Sequence, residues 1–167
     1  MTASTMNSSA YSGGLVGRNV PYSGEITITN CYAAGNVTVS SFDSGAYGGG
    51  LIGDIDTNSG TVVVASCYAT GSVAATSTGG FTYAGSLVGN NHNGTVTNCY
   101  RYEKQVIKSV NNDVESGASN ELGTSCKVDQ LNSAEFYTDT LGWDAEIWDF
   151  SNLDFGNGKY PVLKTTN

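Results

Sequence analysis

The sequence predicts a mainly β fold, a parallel β-solenoid of about six short coils with an aromatic-rich cap of helix and loop at its carboxy-terminal end. The string YSGGLVG at residues 11–17 returns as YGGGLIG at 47–53 and YAGSLVG at 83–89. Leu15, Leu51 and Leu87 therefore stand 36 residues apart. Between these strings, β-branched residues alternate and glycines interrupt them, whereas no helical period is present before residue 105.

Composition narrows the class of protein and of partner. Charged residues make up 13% of the 167 residues, against about 25% in ordinary soluble domains. The net charge is −8 and no basic residues cluster, which excludes a nucleic-acid partner and an anionic membrane patch. No apolar stretch is long enough for direct membrane insertion, and MTASTMNSSA lacks the pattern of a secretory signal. Because low charge with abundant Thr, Ser, Asn and Gly is typical of exported proteins, we expect an extracellular or cell-surface location, within a larger multi-domain chain.

A second landmark divides each repeat into halves. It is the pair Cys31–Tyr32, which returns as Cys67–Tyr68 and Cys99–Tyr100. Both halves share the pattern Tyr-x-x-Gly-x-Val, so each half of about 18 residues predicts one coil. This interpretation gives a solenoid over residues 1–107, with repeats near 11–46, 47–82 and 83–107 and two coils in each. It places Tyr11 and Tyr32 on neighbouring coils of a rod roughly 29 Å long.

The fixed positions in the half-repeats predict the interior. One aliphatic ladder is expected along the axis because the same position of each half carries an aliphatic residue. The adjacent leucine column, Leu15, Leu51 and Leu87, either faces outward or lies under a covering segment, because Asn36 and Ser72 occupy the matching place in the other half. The expected ladder consists of Val16, Val37, Ile52, Val73 and Val88.

Corners follow from the residues that tolerate left-handed backbone. Asn30 and Asn98 are the non-glycine residues best suited to positive φ. The third copy is four residues shorter between its landmarks, and we place this deletion in a loop near 90–94 because a packed strand would not tolerate it. The glycines expected at corners are Gly24, Gly35, Gly60, Gly71 and Gly94.

The repeat ends after Tyr100, and residues 108–167 are predicted to form a capping segment packed on the solenoid. Asp129 or Ser133 is the expected start of a short helix, and Gly142 its end. Phe136, Tyr137 and Leu141 would form its apolar face. Because an open solenoid end exposes unpaired strand edges, we expect the aromatic tail after residue 142 to cover that end.

GGLVGRN, GGLIGD and GSLVGN, each followed by NCY or SCY, resemble the GLUG motif of bacterial surface proteins. The resemblance spans residues 11–100. It implies a module of large exported proteins, among them IgA-cleaving metallopeptidases and adhesins. The motif defines no catalytic residue, so none is carried over.

Catalytic and metal-binding patterns are not found in the sequence. His92 is the single histidine and no CxxC occurs, so we expect no metal and no cofactor. With two coils per repeat, Cys31, Cys67 and Cys99 would lie ~9.6 Å apart, too far for a disulfide, and should form a ladder of reduced thiols. A pair of Cys99 with Cys126 is the remaining alternative. The tail acids are interpreted as the solvated rim of the cap rather than a glycosidase pair; they are Asp144, Glu146, Asp149 and Asp154.

These patterns predict a non-enzymatic module of a bacterial cell-surface or secreted protein. It would act in adhesion, by binding a host glycoprotein, an immunoglobulin or a glycan, or serve as a rigid spacer. The alternative is an accessory region of an exported peptidase or carbohydrate-active enzyme. Aromatic residues are the candidate contacts because they give large area at little entropic cost, although the strict spacing of the tyrosines favours a structural role, in which they fill the interior or stack along the solenoid. The candidates are Tyr11, Tyr47, Tyr83, Trp143 and Trp148.

Overall fold

The computed structural model describes residues 1–110 and 123–165, and the chain winds into a parallel β-solenoid of about three turns. Each turn passes through five short strands, and equivalent strands of successive turns pair side by side. The solenoid therefore has five faces. Residues 111–122, which include part of the predicted capping segment, lie outside the described residues.

Each face is a small parallel sheet that we name by its side chains. The valine face contains β1 (Thr2–Thr5), β6 (Val37–Ser41), β11 (Val73–Ser77) and β16 (Ile107–Val110). The tyrosine face contains β2 (Ala10–Gly13), β7 (Ala46–Gly49) and β12 (Thr82–Gly85). The polar face contains β3 (Val16–Asn19), β8 (Ile52–Asp56) and β13 (Val88–His92). The threonine face contains β4 (Glu25–Thr29), β9 (Thr61–Ala65) and β14 (Thr95–Thr97). The covered face contains β5 (Tyr32–Ala33), β10 (Tyr68–Ala69), β15 (Tyr100–Tyr102) and β17 (Thr124–Cys126).

The register shows that one turn takes a whole repeat of 36 residues. Tyr11 pairs with Tyr47 across neighbouring turns, and Tyr32 pairs with Tyr68. The prediction of six coils was therefore wrong, and three turns span only about 14 Å at the usual strand spacing. Tyr11 and Tyr32 lie on the tyrosine face and the covered face of the same turn. The pattern Tyr-x-x-Gly-x-Val, shared by both halves of a repeat, marks two similar corners of the same turn.

The interior contains two aliphatic columns in place of the single ladder predicted. Val16, Ile52 and Val88 stack on the polar face, whereas Val37 and Val73 stack on the valine face. The two columns belong to separate buried clusters. Their separation follows from the turn length, because the two halves of a repeat lie across the circuit from one another.

The leucine column points inward. Leu51 and Leu87 are fully buried, while Leu15 in the first turn is 40% exposed because no earlier turn in the described chain packs on it. Asn36 and Ser72 occupy a different, exposed corner, where Ser72 N–H donates to Asn36 Oδ1 at 2.9 Å. This difference between the two corners explains why the matching place tolerates polar residues.

The corners confirm the predicted backbone at Asn30 and Asn98, with φ of 53° and 48°. Ser66 takes the same conformation with φ of 53°, which sequence reasoning did not predict for a serine. The four-residue deletion lies where predicted, because the third turn is offset by 36 residues at Val88 and by 32 at Thr95. It shortens the corner between the polar and threonine faces.

The carboxy-terminal segment lies along the side of the solenoid. It contains α1 (Val128–Leu131), a π-helical turn (Phe136–Thr140), a 3-10 turn (Phe155–Asn157) and the antiparallel pair β18 (Trp148–Asp149) and β19 (Val162–Leu163). Its rings contact Tyr32, Tyr68 and Tyr100, one from each turn. The expectation that the aromatic tail covers the far end was therefore wrong, because the tail packs on a row of rings that runs through all three turns.

The start of the first helix differs from the prediction, whereas the end of the helical region agrees with it. The helix begins after Lys127, whose backbone N–H donates to Gln130 Oε1 at 3.0 Å. Neither Asp129 nor Ser133 is the N-cap of α1. Gly142, with φ of 72°, follows the π-helical turn as predicted, and Phe136, Tyr137 and Leu141 are buried.

Candidate functional site

The tyrosine row, defined as Tyr11, Tyr47 and Tyr83, is a regular feature of the solenoid surface. These residues occupy equivalent positions in β2, β7 and β12, where their neighbours Ala10, Ala46 and Thr82 point into the core. Ring centroids are 4.8 Å and 5.0 Å apart, with interplanar angles of 16° and 10°. Each tyrosine is half-buried, because the faces of neighbouring rings contact one another and only the ring edges point outward.

Both ends of the tyrosine row have a specific neighbour. The Arg18 guanidinium lies over the Tyr11 ring, 4.8 Å from its centroid, a cation–π geometry. Phe81, which is 66% exposed, lies tilted beside Tyr83 with 6.4 Å between centroids. Burial between its neighbours raises the pKa of Tyr47, so the centre of the row is uncharged at neutral pH. The row is therefore a neutral strip of aromatic edges with one cation at its end.

A polar row runs beside it on the polar face. It consists of Arg18, Asp54 and Asn90, each seven residues after its tyrosine and one turn apart. Arg18 Nε donates to Asp54 Oδ2 at 2.9 Å, and Asn90 Nδ2 donates to Asp54 Oδ1 at 2.7 Å. Asp54 is only 3% exposed, so these two bonds compensate a nearly buried carboxylate.

Sequence reasoning missed the polar row. Three equivalent strings, GLVG, GLIG and SLVG, end one residue before Arg18, Asp54 and Asn90. The 36-residue period alone would therefore have aligned these three residues. A second carboxylate joins it, because Arg18 Nη2 donates to Asp56 Oδ2 at 2.9 Å. His92 is exposed, with Nδ1 4.0 Å from Asp56.

The two tryptophans of the candidate set lie at the covered face. Trp143 is 2% exposed and its Nε1 donates to the Ser66 carbonyl at 2.8 Å, which leaves it no surface to offer a ligand. Trp148 is half-buried, with its ring centroid 4.5 Å from that of Trp143. Burial also raises the pKa of Tyr68 beneath them. These residues attach the carboxy-terminal segment to the solenoid.

A recess of about 370 Å³ lies between that segment and the first turn. Tyr160 stacks on Tyr32 at 5.6 Å, and Tyr32 Oη donates to the Pro161 carbonyl at 3.2 Å. Hydrogen bonds from Ser151 lower the pKa of Asp149 at its edge, so this carboxylate is charged. The lining residues are Tyr32, Asp149, Asn152, Gly158, Lys159, Tyr160 and Val162.

The cysteines are all free thiols. Cys31, Cys67 and Cys99 repeat at one corner of successive turns, whereas Cys126 lies in β17 opposite Tyr102. That position excludes the considered pair of Cys99 with Cys126, because the register places the two residues three positions apart along neighbouring strands.

Residues 1–110 and 123–165 contain no cluster of three or more His, Cys, Asp or Glu side chains suited to a metal ion. No helix in these ranges has the length and apolar character that a membrane span requires.

In a comparison with known families, the model of the GLUG motif matches residues 8–38. The matched residues run from just before β2 to β6, which is the first turn of the solenoid. Neither a curated protein nor a solved structure matches the chain.

Proposed function

We propose that this chain, whose residues 8–38 match the GLUG motif, is a non-enzymatic binding module of a bacterial cell-surface or secreted protein. It contacts a host glycoprotein, an immunoglobulin or a glycan through the tyrosine row and the adjoining polar row. The observation that carries this proposal is the stacked, half-exposed array of three equivalent tyrosines.

The geometry of the tyrosine row suits an extended contact. Stacking fixes each ring before a ligand arrives, so little side-chain entropy is lost on binding. The exposed ring edges supply apolar area, and their hydroxyl groups both donate and accept hydrogen bonds. A glycan or glycoprotein carries hydroxyl and amide groups that can donate and accept the complementary hydrogen bonds.

The charges around the row favour the same class of ligand. The net charge of −8 disfavours polyanions such as nucleic acid. Arg18 is already paired with Asp54 and Asp56, so the rim carries one cation, two carboxylates and the Asn90 amide, and it is negative on balance. Neutral, hydroxyl-rich ligands pay the smallest electrostatic penalty at such a surface.

A tyrosine outside the row provides the matched control. Tyr22 is 80% exposed, lies outside the row, and can be removed without touching either row. The intact chain is screened against a glycan array, mucin glycoprotein and immunoglobulin, and the affinity of any ligand is then measured for Tyr47→Ala and Tyr22→Ala. We expect Tyr47→Ala to weaken binding about tenfold or more, and Tyr22→Ala to leave it unchanged.

Two results contradict the proposal. If no ligand in these classes binds, a rigid spacer or an accessory region of an exported enzyme is the better account, since the stacked turns form a continuous hydrogen-bonded rod in either case. If a ligand binds but both substitutions weaken it equally, the contact surface lies elsewhere.

A further inference from the structure

Cys31, Cys67 and Cys99 form a ladder of equivalent side chains. Each follows a residue with positive φ, namely Asn30, Ser66 and Asn98. Each thiol donates to the carbonyl two residues before it, at 3.0 Å, 3.1 Å and 3.2 Å. Because the local backbone and the thiol orientation are the same at all three corners, the sulfur atoms repeat in register along the axis.

Whole-repeat turns bring these cysteines within reach of one another. Tyr68 N–H donates to the Cys31 carbonyl at 3.1 Å, and Tyr100 N–H donates to the Cys67 carbonyl at 2.9 Å, so neighbouring cysteines lie on adjacent turns. Adjacent parallel strands are about 4.8 Å apart, inside the ~4.4–6.8 Å that a disulfide requires between Cα atoms. The distance that argued against a disulfide belonged to the six-coil interpretation.

The thiols also reach across the turns. Cys67 Sγ lies 3.6 Å from the Ile28 carbonyl oxygen of the first turn, and Cys99 Sγ lies 3.6 Å from the Val64 carbonyl oxygen of the second. The three residues differ in access to solvent, because Cys67 and Cys99 are buried whereas Cys31 in the first turn is half-buried. A reagent in solution therefore reaches Cys31 first.

We propose that Cys31 and Cys67 are a redox modification site, at which a disulfide oxidant joins the first turn to the second through a reversible inter-turn disulfide. The Cys31 thiolate attacks one sulfur of the oxidant and releases the other as a thiol, which leaves a mixed disulfide on Cys31. The Cys67 thiolate then attacks the Cys31 sulfur and releases the second thiol. Two protein thiols lose two electrons and two protons in all, and the oxidant disulfide is reduced to two thiols.

The shared position of Cys67 sets the stoichiometry. Cys67 can join Cys31 or Cys99 but not both, so the ladder forms one disulfide and retains one thiol. The parallel ladder holds Cβ atoms at about the strand spacing of ~4.8 Å, wider than the ~3.5–4.5 Å of a relaxed disulfide. A bond that draws two turns together is strained, and strained disulfides are the more easily reduced ones.

The test uses the intact, folded chain with oxidised glutathione as the probe. After acid quenching, intact mass and peptide mapping report the products. We expect loss of two hydrogens, a crosslink between the peptides that contain Cys31 and Cys67, and full reversal by dithiothreitol. The rate should rise with pH, since burial raises the pKa of Cys31 and the thiolate is the nucleophile.

Two variants separate this site from general thiol oxidation. Cys31→Ser should stop the crosslink in the folded chain, because only buried ladder thiols remain. Cys126→Ser is the matched control and should leave the rate unchanged, because Cys126 is outside the ladder. Mapping of the unsubstituted chain keeps the proposal testable if either variant folds poorly.

Three outcomes overturn the proposal. One is a folded chain that gives only a glutathione adduct on Cys31 without the crosslink. Another is a crosslink that includes Cys126. The last is a Cys31→Ser variant that is folded and forms a disulfide as fast as the unsubstituted chain.

Discussion

At the scale of single residues, backbone contacts explain the glycines of the repeated string. A Cβ atom on Gly49 would lie 1.9 Å from the Ile52 carbonyl oxygen, and one on Gly85 would lie 1.7 Å from the Val88 oxygen. Gly13 meets the Val16 oxygen at 2.1 Å in the first turn. The chain reverses too tightly at this corner for any side chain, and the requirement recurs in every turn.

Gly49→Ala should therefore lower the free energy of unfolding by about 3 kcal/mol or more, because backbone cannot move aside as a side chain would. Gly35→Ala is the matched control, since a Cβ there meets nothing within 4 Å. Its expected effect is small and stabilising, about 0.4–1 kcal/mol, through the unfolded chain. Urea unfolding measures both, and equal effects would contradict the corner explanation.

Buried tyrosines couple stability to alkaline pH. Burial raises the pKa of Tyr68 and Tyr137 above the ordinary value of about 10. Below that pH both states keep the protons, and the stabilising contribution is complete. As pH rises further, the unfolded chain loses protons first, so folding free energy is lost at up to about 1.4 kcal/mol per pH unit for each group.

Urea unfolding measured between about pH 9 and 11, a range centred on the ordinary tyrosine pKa, should show this decline in the free energy of unfolding. Tyr68→Phe removes one of these buried groups and should reduce the slope of the decline, whereas Tyr22→Phe, at an exposed site, should not change the slope. A slope that is the same in all three proteins would show that Tyr68 does not contribute.

At the scale of elements, the sequence predicted strands, corners and their parallel stacking, and it misjudged how much chain makes one turn. The similarity between the halves of a repeat is real at the level of local contacts, since Tyr11 and Tyr32 each precede a turn that leads into a valine packed against the core. Local similarity does not define which strands pair. Only the spacing of the strongest identities, 36 residues, reports the pairing.

The polar row escaped prediction for a related physical reason. Arg18, Asp54 and Asn90 have different side chains, so they share no repeated letter. Their relation is a chain of hydrogen bonds between turns, and it becomes visible only after the register is known. Position in the register, rather than residue identity, defines the candidate surface.

The valine face offers a direct test of the inward columns. Val37→Asp places a carboxylate in an aliphatic column where Val37 is 1% exposed, so we expect unfolding, or a loss of at least about 3 kcal/mol. Thr38→Asp changes the neighbouring, exposed residue of the same strand and should leave a cooperative transition. Circular dichroism during thermal unfolding compares the two, and a cooperative Val37→Asp transition near that of the parent would contradict the assignment.

At the scale of the whole molecule, the carboxy-terminal segment completes the solenoid along its side. Its apolar composition predicted burial but could not identify the surface it meets, because both an open end and a row of outward tyrosines expose apolar area. The segment packs on the outward tyrosines of the covered face. Tyr32, Tyr68 and Tyr100 point outward from three successive turns and contact aromatic rings of the segment.

Trp143 is the central contact of that arrangement, so Trp143→Ala should cost about 3–5 kcal/mol and leave the Ser66 carbonyl without its donor. Loosening of the segment should also increase binding of a hydrophobic dye. Ile147→Ala is the matched control, because Ile147 is 53% exposed in the same segment and its truncation opens no cavity. If Trp143→Ala leaves stability unchanged, the segment does not contribute to the solenoid as described.

The lateral position of this segment has a mechanical consequence. The bonds between turns run along the axis, so tension on the two ends would peel the turns apart one at a time, and each would release about 120–130 Å of contour length. The carboxy-terminal segment crosses three turns, so it carries that tension first and must detach before the first turn can unfold. The molecule would then lengthen in steps, and would dissipate a sudden pull rather than transmit it.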